Sequence, residues 1–250
     1  MLKANRFVIV IPSYQNIAWC EKNLLSALNQ NYSNFRIVYA DDCSSDGTAD
    51  AVERIISEHD SGHKVTLIKN TKRILPIGNT YNAIHSCDDD EIVILLDGDD
   101  WLAHNDVLSR VNKEYNEKDV WVTYGQWISY SDNSHGGSRE IPNSVISSNS
   151  FRRYEWCSSH LRTHYAWLYK MIRKEDLMCD GDWFKAAGDL ATMFPMLELA
   201  GPKQSFIPDI LYVYNYTSPI NEAKVDRTLQ IACERKIRSM PPYKMVVSRQ

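Results

Sequence analysis

The stretch EIVILLDGDDW, residues 91–101, decides how this chain folds. An apolar run, Ile92 to Leu96, ends in Asp97, Asp99 and Asp100, three carboxylates within four positions. A short continuous apolar run bounded by polar residues is the pattern of a parallel strand buried on both faces. Carboxylates crowded at its tip repel one another unless a cation sits between them. Hard divalent ions such as Mg2+ and Mn2+ take oxygen ligands and keep part of their shell for substrate phosphates. Asp97 and Asp99, two apart, point to one side while strand geometry persists. An isolated D-x-D-D is more often a solvated loop that caps the next helix. At the end of a buried strand the balance moves to a metal site.

Working outward, the first hundred residues alternate strand and helix. RFVIVIP (6–12) is an apolar run stopped by Pro12, and AWCEKNLLSALNQ (18–30) carries apolar residues at helical spacing. FRIVYADD (35–42) is a second strand. The turn CSSDG (43–47) leads into a helix from Thr48, with Asp46 assigned to turn structure. KVTLIKN (64–70) is a third strand, GNTYNAIHS (78–86) a short helix, and 91–97 a fourth strand. This order predicts an α/β domain with a mostly parallel sheet covered by helices on both faces, Rossmann-like in build. Ligands of such sheets bind at the carboxyl ends of the strands. Pro12-Ser13-Tyr14, Asp41-Asp42 and Asp97 to Asp100 all fall at those ends.

Composition narrows the classes. The chain has 250 residues, 44% hydrophobic and 24% charged, with a net charge of -4. That is an ordinary globular balance, without the basic footprint of a nucleic-acid binder. No apolar run reaches membrane-spanning length, and the amino terminus lacks the core and cleavage site of a signal peptide. The six cysteines lie far apart with no C-x-x-C, so free thiols in a cytoplasmic protein are expected.

The second half is less regular. A helix is expected over 104–116 and an aromatic-rich strand over 119–131. SDNSHGGSREIPNSVISSNS (131–150) is expected to be a mobile loop or lid. HLRTHYAWLYKMI (160–172) is expected to be helical, with His160 and His164 on one face. Another helix runs from Asp189, kinked by Pro195, and SFIPDILYVYNY (205–216) forms a closing strand. One domain is expected over 1–222, with a donor half to 101, an acceptor half from 102, and a charged amphipathic tail over 223–250.

Three ordered segments, VIVIPSYQN (8–16), LLSALNQNYSNFRIVYADDCSSDGT (24–48) and IVILLDGDDW (92–101), resemble the nucleotide-sugar domain of a GT-A-fold, family 2-type inverting glycosyltransferase. The resemblance covers roughly the first hundred residues. It implies a nucleotide-sugar donor, a UDP-sugar favoured, and a hydroxyl-bearing glycan or other acceptor. It implies Mn2+ or Mg2+ held by Asp97 and Asp99, with Gly98 between them. It places Pro12, Ser13, Tyr14 and Asn16 at the nucleotide, Tyr14 under the base. Asp42 and Asp41 serve the donor, Arg73 (or Lys72) approaches the diphosphate, Gly78 is a close-approach position, and Asn82 faces the nucleotide. His160 and Arg162 go to the donor phosphates or the acceptor.

An inverting transfer needs a base for the acceptor hydroxyl. By resemblance this is Asp189 at the start of its helix, where Gly188 stands in place of the family's usual Glu; Asp182 is the rival. Trp156, Tyr165, Trp167, Trp183 and Phe184 lie in the acceptor half, where aromatic faces suit sugars, although most such rings are core. Two alternatives stand. A sugar-phosphate nucleotidylyltransferase would want a glycine-rich basic loop after the first strand, which IPSYQNIAWC (11–20) lacks. A non-catalytic carbohydrate-binding module would keep the fold without depending on Asp97, Asp99 and Asp189. A NAD-dependent oxidoreductase is excluded by the missing G-x-G-x-x-G.

Overall fold

The computed structural model describes residues 2–60, 62–217 and 226–248. Its first half follows the expected alternation: β1 (Phe7–Ser13), α1 (Cys20–Leu28), β2 (Phe35–Asp41), α2 (Thr48–His59), β3 (Val65–Lys69), α3 (Leu75–His85), β4 (Ile92–Leu95) and the two-residue β5 (Trp101–Leu102). Then come α4 (Val107–Glu117), β6 (Val122–Ser129), α5 (Asn143–Ser147), β7 (Arg162–Tyr165) and α6 (Ala166–Lys170). A small hairpin of β8 (Met178–Cys179) and β9 (Asp182–Trp183) precedes α7 (Gly188–Ala200), β10 (Gln204–Tyr214) and α8 (Arg227–Ser239).

Eight strands form one sheet in the order β3-β2-β1-β4-β7-β6-β10-β5. The pairs β1–β2, β2–β3, β1–β4 and β6–β10 are parallel, whereas β7 runs against both its neighbours and β5 against β10. Continuous apolar runs in β1 and β4 are explained by helices on both faces. Phe7, Ile9 and Ile11 with Ile92 and Ile94 enter the core beneath α1, α2 and α4. Their alternate neighbours Val8, Val10, Val93 and Leu95 enter the core shared with α3, α6 and α7.

Three expectations give way. The helix expected over 160–172 is strand β7 followed by the five-residue α6. β7 slots between two strands, Arg162 opposite Leu95 and His164 opposite both Val93 and Val122, so backbone pairing on both edges overrides the helical spacing. His160 and His164 therefore share no helix face. The short helix α3 starts at Leu75 rather than Gly78, because Pro76 fits a first turn where its missing N–H is not needed. The loop expected over 131–150 carries the short helix α5, and its second part is anchored: Ile141 and Val145 are buried, and the Ile141 N–H donates to the Tyr124 hydroxyl at 2.9 Å, whereas 131–135 are exposed.

The stretch expected as a tail holds α8, whose Cys233 and Ile237 are buried. Its start at 223 lies outside the described residues. Arg152 joins α7 to α8: its guanidinium makes a bidentate pair with Glu198 at 2.6 and 2.9 Å and donates to the Ile237 carbonyl at 2.7 Å. The chain after α8 folds back, with the Tyr243 N–H on Glu198 and the Val246 N–H on the Leu199 carbonyl.

Candidate active site

The acidic turn 97–100 is gripped from three elements. The Asn23 amide of α1 donates to the carbonyls of Asp97 and Asp100, at 2.9 and 2.7 Å. The Gly98 N–H donates to the Pro12 carbonyl at the end of β1. Asn215, just after β10, donates its side-chain amide to the Asp99 carbonyl. Gly98 is required there: a Cβ would stand 2.7 Å from both Ser13 and Asn16.

The three carboxylates meet three fates. Asp97 reaches the Arg162 guanidinium at 3.3 Å and the His160 ring at 4.0 Å. Asp100 is buried, accepting from the Tyr212 hydroxyl at 2.5 Å and the Asn215 N–H at 2.6 Å. Burial, then the charges of Asp99 and Asp97, push its carboxyl well above the usual range. Asp99 stays partly exposed on the cleft wall. Among the described residues the ligand atoms that gather within 4.8 Å are those of Asp97, Asp100 and His160. Asp99, expected beside Asp97, is not in that group.

His160 and Arg162 arrive through the antiparallel strand. Because Arg162 pairs with Leu95, the amino end of β7 lies against the carboxyl end of β4, beside the acidic turn. His160 stacks on Tyr212 with ring centroids 4.3 Å apart and an interplanar angle of 12°. Burial, aided by Arg162, pushes its pKa well below 6.5, so the ring is neutral and offers a lone pair. Arg162 stays charged: burial opposes it, but Asp97 and Asp189 outweigh that loss.

These groups line one cleft of about 590 Å³, a volume suited to a small-molecule ligand. Pro12, Tyr14, Asn16 and Arg73 form one side, with the Arg73 guanidinium 3.7 Å above the Tyr14 ring. Gly98 and Asp99 also line it, as does Asp189 at the start of α7. Burial raises the Asp189 carboxyl above its ordinary value, with Arg162 pulling the other way. Two buried polar atoms of this lining, Asn16 Oδ1 and Arg162 Nε, have no partner. Asp182 is exposed on the β8–β9 hairpin, outside the lining.

Several expected donor residues stand behind the wall. Ser13 accepts from Tyr39 and Asn16. Asp41 caps Ser44 at 3.0 Å. Asp42 accepts from the N–H groups of Ile74 and Leu75 at 2.8 and 2.9 Å, which fixes the segment carrying Arg73. Gly78 lets the Trp183 indole pack on α3, and Asn82 is exposed and does not line the cleft. Trp156 and Trp167 pack within the core, whereas Phe184 reaches the lining. Residues missed from the sequence are Tyr212, Tyr214 and Asn215. Their signal was the polar end of LYVYNY (211–216), a strand tip like the three that were recognised.

The model of glycosyl transferase family 2 matches residues 8–178, over two thirds of the sequence. The chain belongs to this family. Solved structures agree in fold with this family 2 domain. S. aureus TarS 1–349 in complex with UDP superposes with a TM-score of 0.62 at 19% identity, over 84% of this chain and 60% of that one. A second structure of S. aureus TarS gives 0.61 at 18%, over 84% and 36%. The mannosyltransferase PcManGT from Pyrobaculum calidifontis, in complex with GDP-Man and Mn2+, gives 0.56 at 19%, over 85% and 57%. The family 2 domain thus spans less than two thirds of each of these proteins. No curated protein sequence matches it. No helix among its described residues is long and apolar enough to cross a membrane.

Proposed function

We propose that this glycosyltransferase is metal-dependent and inverting, moving a sugar from a nucleoside diphosphate donor, a UDP-sugar first, to a hydroxyl of a glycan or other acceptor. The observation that carries the proposal is convergence. Acidic, basic and aromatic groups from the turns after β1 and β4, from the segment that carries β7, from the segment before α3 and from α7 line one cleft at the carboxyl ends of the parallel strands β1 and β4. The ligands named with structural neighbours, UDP and the nucleotide sugars UDP-GlcNAc and GDP-Man, support that donor class.

Asp97 and Asp99 would hold Mn2+ or Mg2+, with His160 and Asp100 within reach. Carboxylate oxygens are the donors such ions prefer. When bound, the ion supplies Lewis-acid stabilisation of negative charge on the departing diphosphate. The remaining work falls to the chain. Tyr14 offers its ring to the base, and Arg73, stacked on that ring, approaches the diphosphate. Arg162 adds fixed positive charge beside Asp97, in a cleft wall where such charge is worth more than in water. The Asp189 carboxylate takes the acceptor proton while the acceptor oxygen bonds to the anomeric carbon. The bond from that carbon to the phosphate oxygen breaks, and its electron pair leaves with the diphosphate. The six unpaired cysteines fit a reducing, cytoplasmic setting.

A nucleotide-sugar panel with and without Mn2+ tests this. We expect metal-dependent release of one nucleoside diphosphate, abolished by Asp99→Ala. Release of pyrophosphate, or metal-independent turnover, refutes it.

A further inference from the structure

The acceptor side of the cleft has a wall beyond the matched residues 8–178. α7 and α8 run side by side in the same direction. Asp189 and Thr192 of α7 share the cleft with Leu229 and Gln230 of α8, while Arg152 ties Glu198 to the Ile237 carbonyl at their far ends. The first turn of α8 is fixed in place: the Asp226 carboxylate caps it by accepting from the Leu229 N–H at 2.8 Å. Leu229 leans on the core that α7 fills, so Gln230 is presented from a rigid element.

We infer that Leu229 and Gln230 form the acceptor subsite and select a neutral, hydroxyl-rich acceptor; this rests on the transferase reading above. A carboxamide both donates and accepts, as a sugar hydroxyl does, and an apolar neighbour suits the C–H face of a pyranose. Charge argues the same way. Across the described residues of the lining the exposed or partly exposed carboxylates Asp97, Asp99, Asp189 and Asp226 outnumber the cations Arg73, Arg162 and Lys185, so an anionic acceptor would meet net repulsion.

The test uses the full chain and methyl glycosides of glucose, galactose, mannose and N-acetylglucosamine, with glucose 6-phosphate as the anionic probe. Saturation-transfer NMR reads glycoside binding without any donor. With the donor found in the panel, acceptor KM and acceptor-free donor hydrolysis are read in parallel. Gln230→Ala, at a partly exposed helix position, is expected to weaken glycoside binding and raise acceptor KM about tenfold, with donor hydrolysis within twofold of the parent. Gln230→Asn, which keeps the amide, should recover part of the loss. Unchanged glycoside binding in Gln230→Ala, or tighter binding of glucose 6-phosphate than of every glycoside, overturns the inference. If the parent hydrolyses no donor, the transferase reading fails instead, and the NMR arm still decides whether α8 binds sugar.

Discussion

His164 offers the sharpest physical test of the sheet. It lies in β7, fully buried, its ring stacked on Tyr169 at 5.5 Å and its Nδ1 3.1 Å from the Tyr165 carbonyl. That carbonyl can only accept, so Nδ1 carries the proton, and Nε2 is buried without a partner. Burial, with a smaller push from Arg162, lowers the pKa from 6.5 to about 4. A depressed folded pKa means the unfolded chain takes a proton first as the solution is acidified. Stability is therefore complete above pH 6.5 and lost as pH falls toward 4. The gap of about 2.5 pH units, at about 1.36 kcal/mol each, corresponds to about 3 kcal/mol. That is a sizeable part of the roughly 5–15 kcal/mol that holds a domain folded. His164→Phe keeps a ring against Tyr169 but cannot titrate. Urea unfolding of both proteins at pH 7, 6, 5 and 4 cancels the carboxylates they share. We expect the parent to lose about 3 kcal/mol relative to the variant across that range, a midpoint change of about 1 M at an m-value of roughly 3 kcal/mol per molar. A difference flat to about 0.5 kcal/mol would show that His164 does not titrate in this window, and the burial argument would be wrong.

Asp189→Asn should lower kcat by roughly 10²–10⁴ with nucleotide affinity unchanged. Because burial raises the Asp189 carboxyl above 3.8, the acid limb of the parent's kcat/KM profile should lie above the ordinary carboxylate range and vanish in the variant. Arg152→Ala strands Glu198, fully buried, and should cost about 3–5 kcal/mol by thermal or urea unfolding; a loss under about 1 kcal/mol would mean α8 is held by apolar packing alone. Gly78→Ala drives a Cβ to 2.7 Å from the Trp183 indole. It should cost about 1–3 kcal/mol and change tryptophan fluorescence as the β8–β9 hairpin shifts.

What the residues disclosed tracks how local their physics is. The β1, β4 and α2 segments could be read because period and end signals lie within a dozen residues. Asp46, which accepts from the Thr48 N–H, behaves as a turn residue should. Residues 162–165 could not be read so, because Arg-Thr-His-Tyr becomes a strand only by pairing with Leu95 and Val122 across the fold. The same holds for Asp41 and Asp42. A carboxylate at a strand end signals polar duty, but the N–H groups from which Asp42 accepts, those of Ile74 and Leu75, lie on a loop some thirty residues away. Asp100 was harder still, since Tyr212 and Asn215 supply its donors from more than a hundred residues on.

The antiparallel insertion of β7 resolves the question posed by the crowded carboxylates. In an all-parallel sheet the strand beside β4 would bring its carboxyl end to the acidic turn, adding partial negative charge from terminal carbonyls. Reversed, β7 brings its beginning, and with it the guanidinium of Arg162 against Asp97 and the neutral ring of His160. β10 then carries Tyr212 and Asn215 to Asp100 as hydrogen-bond donors. One acid is paired with a cation, one is buried under two donors, and Asp99 is left on the cleft wall. The turn is thus tolerated by the folded chain through its own contacts, with the Asp99 side chain partly exposed on the cleft wall. The acidic cluster follows from that arrangement: Arg162 meets Asp97, Tyr212 and Asn215 hold Asp100, and the whole turn keeps a fixed place in the cleft.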